Sequence, residues 1–357
     1  MTPETFRERI KGGDALVDLD LRQLQLTPGD YAGAILIRCD LRGMSLEGMD
    51  LRDSQFSECQ LQDTRWEDAQ LDQCVFHRCD ASRARMRVAR VEEMTWSDCR
   101  AIDLDLGETA LVSVNFVRTD MTGSNLAGAQ IERSTFTECT WGNADMSQTR
   151  QEHVLFFRSD LTQVILTEAH WESVVCVEVN MSGQDLRGQT LLRCQLTDCQ
   201  LDGCNFQDAL LGQTSFKGAS MKDATLIGAR APRALFVHAD MRGSQCQGGQ
   251  FAQSLWADAF LDQVDFSGAD LTQCILHRAR CDRALFKNAE LEYADFSYAD
   301  LSRADFRGSR FMRTQFHRAL IADTRWGDRT GLLENDPLLF EAEQWSAGRP
   351  TALRAGR

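Results

Sequence analysis

The sequence lacks a long apolar run, a leader-like N-terminus and a basic stripe, and each absence excludes a class of function. No apolar stretch approaches the ~20 residues that a membrane-spanning helix needs. Residues 1–14 are charged and lack an apolar segment, so we expect no secretory signal and a cytoplasmic protein. Only four of the 39 cations are lysines, and no basic stripe suited to direct nucleic-acid binding is visible.

Motifs of catalysis and cofactor binding are missing as well. The sequence contains no H-E-x-x-H, G-x-S-x-G, Walker or G-x-G-x-x-G motif. The six histidines show no spacing typical of a ligand set, and the thirteen cysteines include no C-x-x-C pair. In a cytosolic protein such cysteines are expected to be free thiols. We therefore expect no enzyme activity, no cofactor and no metal.

What the sequence does contain is a period of five residues. From Leu16 to Trp326, every fifth residue is a centre, and 56 of the 63 centres are large and apolar. The residue two before each centre is small in 54 of 60 units between Gly29 and Thr324. No Asp, Glu, Lys or Arg occupies either position. Because burying an unpaired ion costs several kcal/mol, this segregation predicts two inward and three outward residues per unit.

Four five-residue units would close a square coil of twenty residues. Residues twenty apart would then stack, and one column of centres should differ from the others. The column that begins at Leu16 has aromatic residues at 11 of its 16 positions. Stacked rings contribute beyond the area that they bury. This column independently indicates four units per turn.

The units resemble the pentapeptide-repeat family, whose motif is roughly A-(D/N)-L-x-x. Clear copies are Ala269-Asp270-Leu271, Ala294-Asp295-Phe296 and Ala304-Asp305-Phe306. The resemblance covers residues 14–326 and implies an all-β fold, a right-handed quadrilateral β-helix. Sixty-three units would make about 15–16 coils. At ~4.8 Å per strand layer the rod would be about 75 Å long.

Both ends of the rod are predicted to carry short helical caps. Residues 1–13 form the first, in which Thr2 is the N-cap, Pro3 is the first helical residue, and Phe6 and Ile10 face the first coil. The second lies in residues 327–357, where Asp336-Pro337 repeats the N-cap signature, and residues 349–357 form a basic tail. Its apolar residues predict either a cap on the last coil or a homodimer contact, as seen in relatives: Leu338, Leu339, Ala342 and Trp345.

An irregular segment suggests a seam near residue 180. Gln151 occupies a centre, and Gln184 and Gln189 occupy small positions. The last two lie seven coils after Met44 and Met49, which break the same rule. A duplicated rod with a joint and ordinary drift of the repeat both explain the pattern. A change of coil shape near 176–196 would favour the joint.

Three functions are compatible with the sequence. The first is a non-enzymatic protein-binding scaffold, for which the resemblance implies an accessory role for effectors of bacterial type VI secretion. The second is an acidic DNA mimic that binds DNA gyrase or topoisomerase, as some relatives do. The third is a purely structural repeat protein. The mimic is motivated by the net charge of −10 over residues 91–180 and by outward acidic residues there. These candidate contact residues are Asp105, Asp120, Asp145 and Asp160.

Overall fold

The computed structural model describes residues 1–88 and 90–347 of the chain. Within them the chain forms a right-handed, four-sided parallel β-solenoid of about 16 turns, with one short helix near each end. The predicted fold class is confirmed. The basic tail predicted at residues 349–357 lies outside the described residues.

The regular elements are short, because each side of the square coil offers only three extended residues. The helices are α1 (Pro3–Lys11) and α2 (Pro337–Ala347). The strands, in chain order, are β1 (Ala15–Val17), β2 (Ile35–Ile37), β3 (Gln55–Ser57), β4 (Val75–His77), β5 (Arg90–Glu92), β6 (Thr95–Ser97), β7 (Ala110–Val112), β8 (Asn115–Val117), β9 (Gln130–Glu132), β10 (Thr135–Thr137), β11 (Arg150–Glu152), β12 (Leu155–Phe157), β13 (His170–Glu172), β14 (Val175–Val177), β15 (Thr190–Leu192), β16 (Gln195–Thr197), β17 (Asp305–Phe306), β18 (Thr314–Gln315), β19 (Arg325–Trp326) and β20 (Leu332–Leu333).

The strands stack in parallel with a register of twenty residues over the regular coils. One sheet runs β1-β2-β3-β4-β6-β8-β10-β12-β14-β16, and a second runs β15-β13-β11-β9-β7-β5. Leu16 pairs with Leu36 and Phe136 with Phe156, as a twenty-residue coil requires. Beyond β16 the same spacing continues through isolated bridges as far as Asp300↔Leu320.

We name the four sides of the rod by their columns of centres. Face A contains the centres from Leu16 to Phe316 in steps of twenty. Face B starts at Leu21, face C at Leu26 and face D at Tyr31. The ten-stranded sheet is therefore face A, and the six-stranded sheet is part of face D.

The interior of face A is the predicted aromatic column. Phe76 stacks between Phe56 at 4.9 Å and Trp96 at 4.2 Å, with interplanar angles of 5° and 17°. Rings from neighbouring columns meet this stack edge-on, as Trp66 does against Phe76 at 5.9 Å. The stack explains why twenty-residue spacing was visible in the sequence.

The chain turns each corner at the third outward position of the unit. Among the described residues, 43 non-glycine residues have a positive φ, and every one of them occupies that position. Glycine occupies many of the remaining corners, as Gly203 does with a φ of +66°. A left-handed conformation disfavours most side chains and β-branched ones above all. The corner, not the strand, is where the repeat restricts backbone conformation.

Substitution of Gly203 measures the free-energy cost of the left-handed corner conformation without a steric clash. Apart from its two chain neighbours, no described residue has an atom within 4 Å of a Cβ built on this glycine. We expect Gly203→Val to destabilise the rod by about 1–2 kcal/mol, since valine resists the left-handed region. Asparagine tolerates that region, so Gly203→Asn should cost clearly less. Urea denaturation followed by circular dichroism measures both, and equal losses would refute the backbone explanation.

The two ends are closed to different degrees. At the N-terminus, α1 buries Phe6 and Ile10 against the first coils, and Thr2 Oγ1 accepts a 3.3 Å hydrogen bond from the Thr5 N–H. At the C-terminus, the predicted inward centre Ile321 is 42% exposed and Trp326 is only half-buried. The prediction that every centre is inward is wrong there, because in the described part of the chain no complete coil follows to cover these side chains.

Candidate functional site

The four aspartates predicted as a contact surface do not form one cluster. Asp120 and Asp160 lie on face B, whereas Asp105 and Asp145 lie on face C. Within each pair the residues are two coils apart. The remaining acidic residues of 91–180 are likewise divided among all four faces. A mimic of DNA needs a field of one sign along one side, and this distribution does not supply it.

These aspartates also form local hydrogen bonds at the corners of the coil. Asp120 Oδ1 accepts hydrogen bonds from the Thr122 N–H at 3.1 Å and the Thr122 hydroxyl at 2.6 Å. Asp160 accepts the same pair from Thr162. The equivalent oxygen of Asp145 accepts from a backbone N–H. Such local bonds are typical of Asx turns, so the carboxylates hold the coil corners.

The apolar residues predicted to cap the last coil are not buried. Leu338 is 79% exposed, Leu339 46% and Trp345 64%, and Ala342 is exposed as well. These side chains are therefore largely open to solvent, and their role as a cap on the last coil stays a prediction. A contact with a second copy of the chain stays a prediction.

Helix α2 is attached mainly through one carboxylate. Glu343 accepts hydrogen bonds from the Tyr298 hydroxyl and from Arg318 Nε at 2.9 Å, and it pairs with His317 Nε2 at 3.3 Å. These partners, Tyr298 first, lower the pKa of the Glu343 carboxyl. The Arg318 guanidinium lies 4.2 Å from the centre of the Phe340 ring. His317, predicted as outward, is only 3% exposed because α2 covers it.

The cysteines are packing residues. All thirteen are buried and free, as the register predicts. Burial raises the pKa of the Cys74 thiol to about 12 and that of Cys199 to about 11, which keeps both protonated at neutral pH. A protonated, buried thiol is a poor nucleophile and a poor metal ligand. In the part of the chain that the structure describes, no group of three or more His, Cys, Asp or Glu residues is arranged to hold a metal ion.

Face A presents the most distinctive surface of the rod. Its outward side chains flank each centre, at one residue before it and one after it. Across the fourteen coils from Ala15 to His277, only Lys217 among these 28 residues is Asp, Glu, Lys or Arg. The corresponding 28 positions on face B contain fifteen charged residues. Over these fourteen coils, nearly all the residues that line one side of an otherwise charged rod are therefore uncharged.

Many of these residues on face A are apolar and reach solvent. Val17, Val75, Leu235 and Ile275 are 38–41% exposed. The others are half-buried among their neighbours in the sheet: Ile35, Ile37, Val117, Leu155, Phe157, Val175, Val177, Val237 and Leu255. Because parallel pairing holds them in register, they form an interrupted stripe, in which five of the fourteen coils, such as that of Thr135–Thr137, contribute polar side chains instead. Apolar side chains exposed along one side of a protein are typical of interaction sites.

A ladder of alternating charge borders face A. The residues that turn the corner after each strand alternate in sign over nine consecutive coils. Arg38 Nε pairs with Asp18 at 2.7 Å, and Arg118 Nε pairs with Asp98 at the same distance. The hydrogen bond from Arg118 lowers the pKa of the Asp98 carboxyl. In chain order the ladder is Asp18, Arg38, Glu58, Arg78, Asp98, Arg118, Glu138, Arg158 and Glu178.

Face A and its ladder can be found in the sequence, but only by comparing residues that are twenty positions apart. The net charge of a continuous segment averages over all four faces, so it hides the one uncharged side. The column that revealed the aromatic stack inside is the same one that is uncharged outside.

The side-chain amide nitrogens of the irregular glutamines Gln184 and Gln189 form hydrogen bonds inside the coil. Gln184 Nε2 donates to the carbonyl oxygens of Leu161 at 2.6 Å and Val164 at 2.9 Å. Gln189 Nε2 donates to the Leu166 carbonyl at 2.6 Å. The continuous strands of faces D and A end just beyond this segment, at β15 and β16. The coil form thus changes within the range where a joint was predicted, and the joint itself stays a prediction.

Two family models match the chain, and together they cover more than half of it. The model described as a pentapeptide repeat region matches residues 49–126. The model described as pentapeptide repeats (8 copies) matches residues 180–218, 194–230, 219–255, 265–297 and 289–321. Neither description is that of a catalytic family. No curated protein matches the chain.

The chain also matches several solved structures at low identity. Full-length QnrB1, a plasmid-mediated fluoroquinolone resistance protein, is 17% identical, with 66% of this chain and 100% of that chain covered and a TM-score of 0.27. HetL, a pentapeptide repeat protein from the cyanobacterium Nostoc sp. strain PCC 7120 involved in heterocyst differentiation regulation, is 19% identical, with 71% and 89% covered and a TM-score of 0.20. The alginate lyase AlyF-OU02 is 7% identical, with 94% and 85% covered and a TM-score of 0.35.

Proposed function

We propose that this chain, which belongs to the pentapeptide-repeat family, is a non-enzymatic protein-binding rod whose contact surface is face A. The observation that carries the proposal is the stripe of 28 outward residues with one charged member. Desolvating charged groups opposes association, whereas burying Val, Ile, Leu and Phe side chains favours it. Binding a partner to face A therefore costs less desolvation free energy than binding it to a side as charged as face B.

The dimensions of face A suit an interface between proteins. Fourteen strand layers extend over about 65 Å, and one three-residue strand is about 10 Å wide. The resulting area of roughly 650 Å² is close to the ~800 Å² per partner of a standard interface. A long and rigid surface of this kind is the usual binding element of solenoid proteins.

A pair of substitutions on face A tests this proposal against a matched control. Leu235 and Ile275 are both 41% exposed on face A, and Ile165 occupies the same position of the repeat on face C with 46% exposure. We expect Leu235→Arg with Ile275→Arg to reduce capture of the protein partner from the native host at least tenfold, because two charges would be buried on binding. Ile165→Arg should leave capture unchanged.

Equal capture by all three proteins, with unchanged melting temperatures, would refute the use of face A. Capture is measured by quantitative mass spectrometry of material bound to the purified rod. For the identity of the partner, the family resemblance supports a narrower proposal, an effector of a bacterial type VI secretion system, in the cytoplasm. Enrichment of such effectors over abundant cytosolic proteins is the result expected.

The acidic DNA mimic predicts a different outcome. Because the acidic residues of 91–180 are spread over four faces and Asp120 and Asp160 bind their own corners, we expect no inhibition of DNA gyrase supercoiling at micromolar concentrations of the rod. A gel assay of plasmid topology measures the effect. Inhibition that disappears when Asp120 and Asp160 are both replaced by Asn would favour the mimic instead.

The C-terminal end supports a second, independent contact. Leu320 is 60% exposed beside Ile321, and a groove of about 330 Å³ between α2 and the last coil includes Trp326 and Phe340 in its lining. Together with Leu338 and Leu339 these residues support the proposal of a homodimer through the C-terminal segment. Loss of a dimer on substitution of Leu338 and Leu339 by Arg, with the melting temperature retained, is the expected result.

A further inference from the structure

We propose that the N-terminal half of face A binds a second copy of this chain in an antiparallel, face-to-face dimer whose register is set by the charge ladder. The proposal rests on the use of face A as a contact surface, and it names the occupant of the coils from Ala15 to Val177. The coils from Gln195 to His277 remain available to a different protein.

The contact positions of this half contain no charged residue. In the nine coils from Ala15 to Val177, none of the eighteen outward side chains that flank the centres is Asp, Glu, Lys or Arg. The stripe begins with Val17 and ends with Phe157, Val175 and Val177. Two such surfaces can cover each other without desolvating an ion. The ions of this half lie at the corners, beside the contact and not in it.

The ladder makes the edge of this surface self-complementary. Consider a two-fold axis that runs along the strand direction and passes between Arg78 and Asp98. It reverses the rod and brings the ladder of one copy opposite the ladder of the other. The opposed pairs are then Arg78 with Asp98, Glu58 with Arg118, Arg38 with Glu138, and Asp18 with Arg158. Each pair has opposite charges and occurs twice by symmetry.

Shifting the axis by half a coil removes this complementarity. An axis through Asp98 would oppose Arg78 to Arg118 and Glu58 to Glu138, and every further pair would also be alike in sign. Exposed ion pairs contribute little to affinity, but like charges set against each other disfavour the wrong register. The ladder therefore selects one antiparallel register, while the apolar stripe supplies the attraction.

The other edge of the face is compatible with the same register. The corner residues that precede each strand are opposed as Gly13 with His153, Gly33 with Arg133, Asp53 with Ser113, and Gln73 with Glu93. None of these is a pair of like charges. Within one chain, Gln73 Nε2 donates to Glu93 Oε2 at 2.9 Å, so the carboxylate nearest the axis on this edge is already hydrogen-bonded.

The expected dimer is weak and reversible. Eight overlapping coils are about 38 Å long, and the face with its corners is about 15 Å wide, so the two copies would bury roughly 1,000 Å² in total. This is the low end of specific interfaces. We therefore expect a monomer–dimer equilibrium in the micromolar range, in which the apolar stripe provides most of the affinity.

The test is sedimentation equilibrium of the full chain and its variants over a wide range of concentrations. Val75, 38% exposed and half a coil from the axis, is the most sensitive apolar position. Val75→Arg should weaken the dimer at least tenfold, whereas Ile165→Arg on face C should not change it. Arg78→Asp should also weaken it, because it sets two carboxylates against each other across the axis.

The double exchange R78D/D98R discriminates the register. It restores opposite charges across the axis but creates like-charged neighbours within each chain, so recovery of dimer relative to R78D requires the antiparallel contact. A wild-type chain that stays monomeric at every concentration would overturn the proposal. So would a dimer that survives Val75→Arg and is lost with Leu338→Arg and Leu339→Arg. Host-partner capture that depends on Leu235 and Ile275 would still support the proposed function in either case.

Discussion

Ala224→Asp is expected to unfold the rod locally or globally, at a cost of about 5 kcal/mol or more. Ala224 occupies a small inward position with 0% exposure, between the side chains of Cys204 and Ser244 in neighbouring coils. A carboxylate there is buried without a cation and crowds a close-packed column. The repeated coil offers little room to relax, because each coil is fixed by hydrogen bonds to the coils on either side.

The neighbouring residue provides the control. Thr225 points outward on face C, and Thr225→Asp converts Ala224-Thr225-Leu226 to the A-D-L motif of the repeat. The two variants have the same added charge one residue apart. We expect Thr225→Asp to change the free energy of unfolding by less than about 0.5 kcal/mol, as surface substitutions usually do. Similar losses in both variants would refute the assignment of inward and outward positions.

The pH dependence adds a second readout for Ala224→Asp. Burial raises the pKa of a carboxyl group above its value in the unfolded chain. Below the unfolded pKa both states are neutral, and only the packing penalty remains. As the pH rises through that value, the unfolded state ionises first, so the destabilisation grows. The difference in stability between the Ala224 and Thr225 variants should therefore be larger at pH 8 than at pH 5.

The inward and outward positions were predictable because the solenoid repeats the same environment in every coil. Leu16 and Phe296 differ by 280 residues but occupy equivalent sites, so a single rule describes both. The rule fails where the repeated environment ends. Ile321 is exposed because no full coil follows it among the described residues, and His317 is buried because α2 lies on it. Neither effect can be recognised from the five-residue period of the sequence.

The candidate contact surface was not predictable from segments of the chain. Val75 and Leu235 are eight coils apart in sequence yet lie on one face. Asp105 and Asp120 are close in sequence but lie on different faces. Charge read along the chain therefore grouped residues that the fold separates. The twenty-residue register, once known, assigns each outward residue to a face without further structural information.

Phe76→Ala is expected to destabilise the rod by about 3–5 kcal/mol, the usual cost of removing a buried aromatic ring. The Phe76 ring stacks on Phe56 and Trp96 and meets Trp66 edge-on, so its loss leaves a cavity bordered by three rigid rings. Phe76→Leu should cost far less, about 1 kcal/mol, because leucine fills most of the volume and already occupies this column at Leu16 and Leu196. Urea denaturation followed by tryptophan fluorescence measures both variants, with Trp66 and Trp96 as local reporters. If Phe76→Ala reduced the free energy of unfolding no more than Phe76→Leu, the stacked rings would not stabilise the coil. The proposed contact surface on face A would then not lie over a rigid interior.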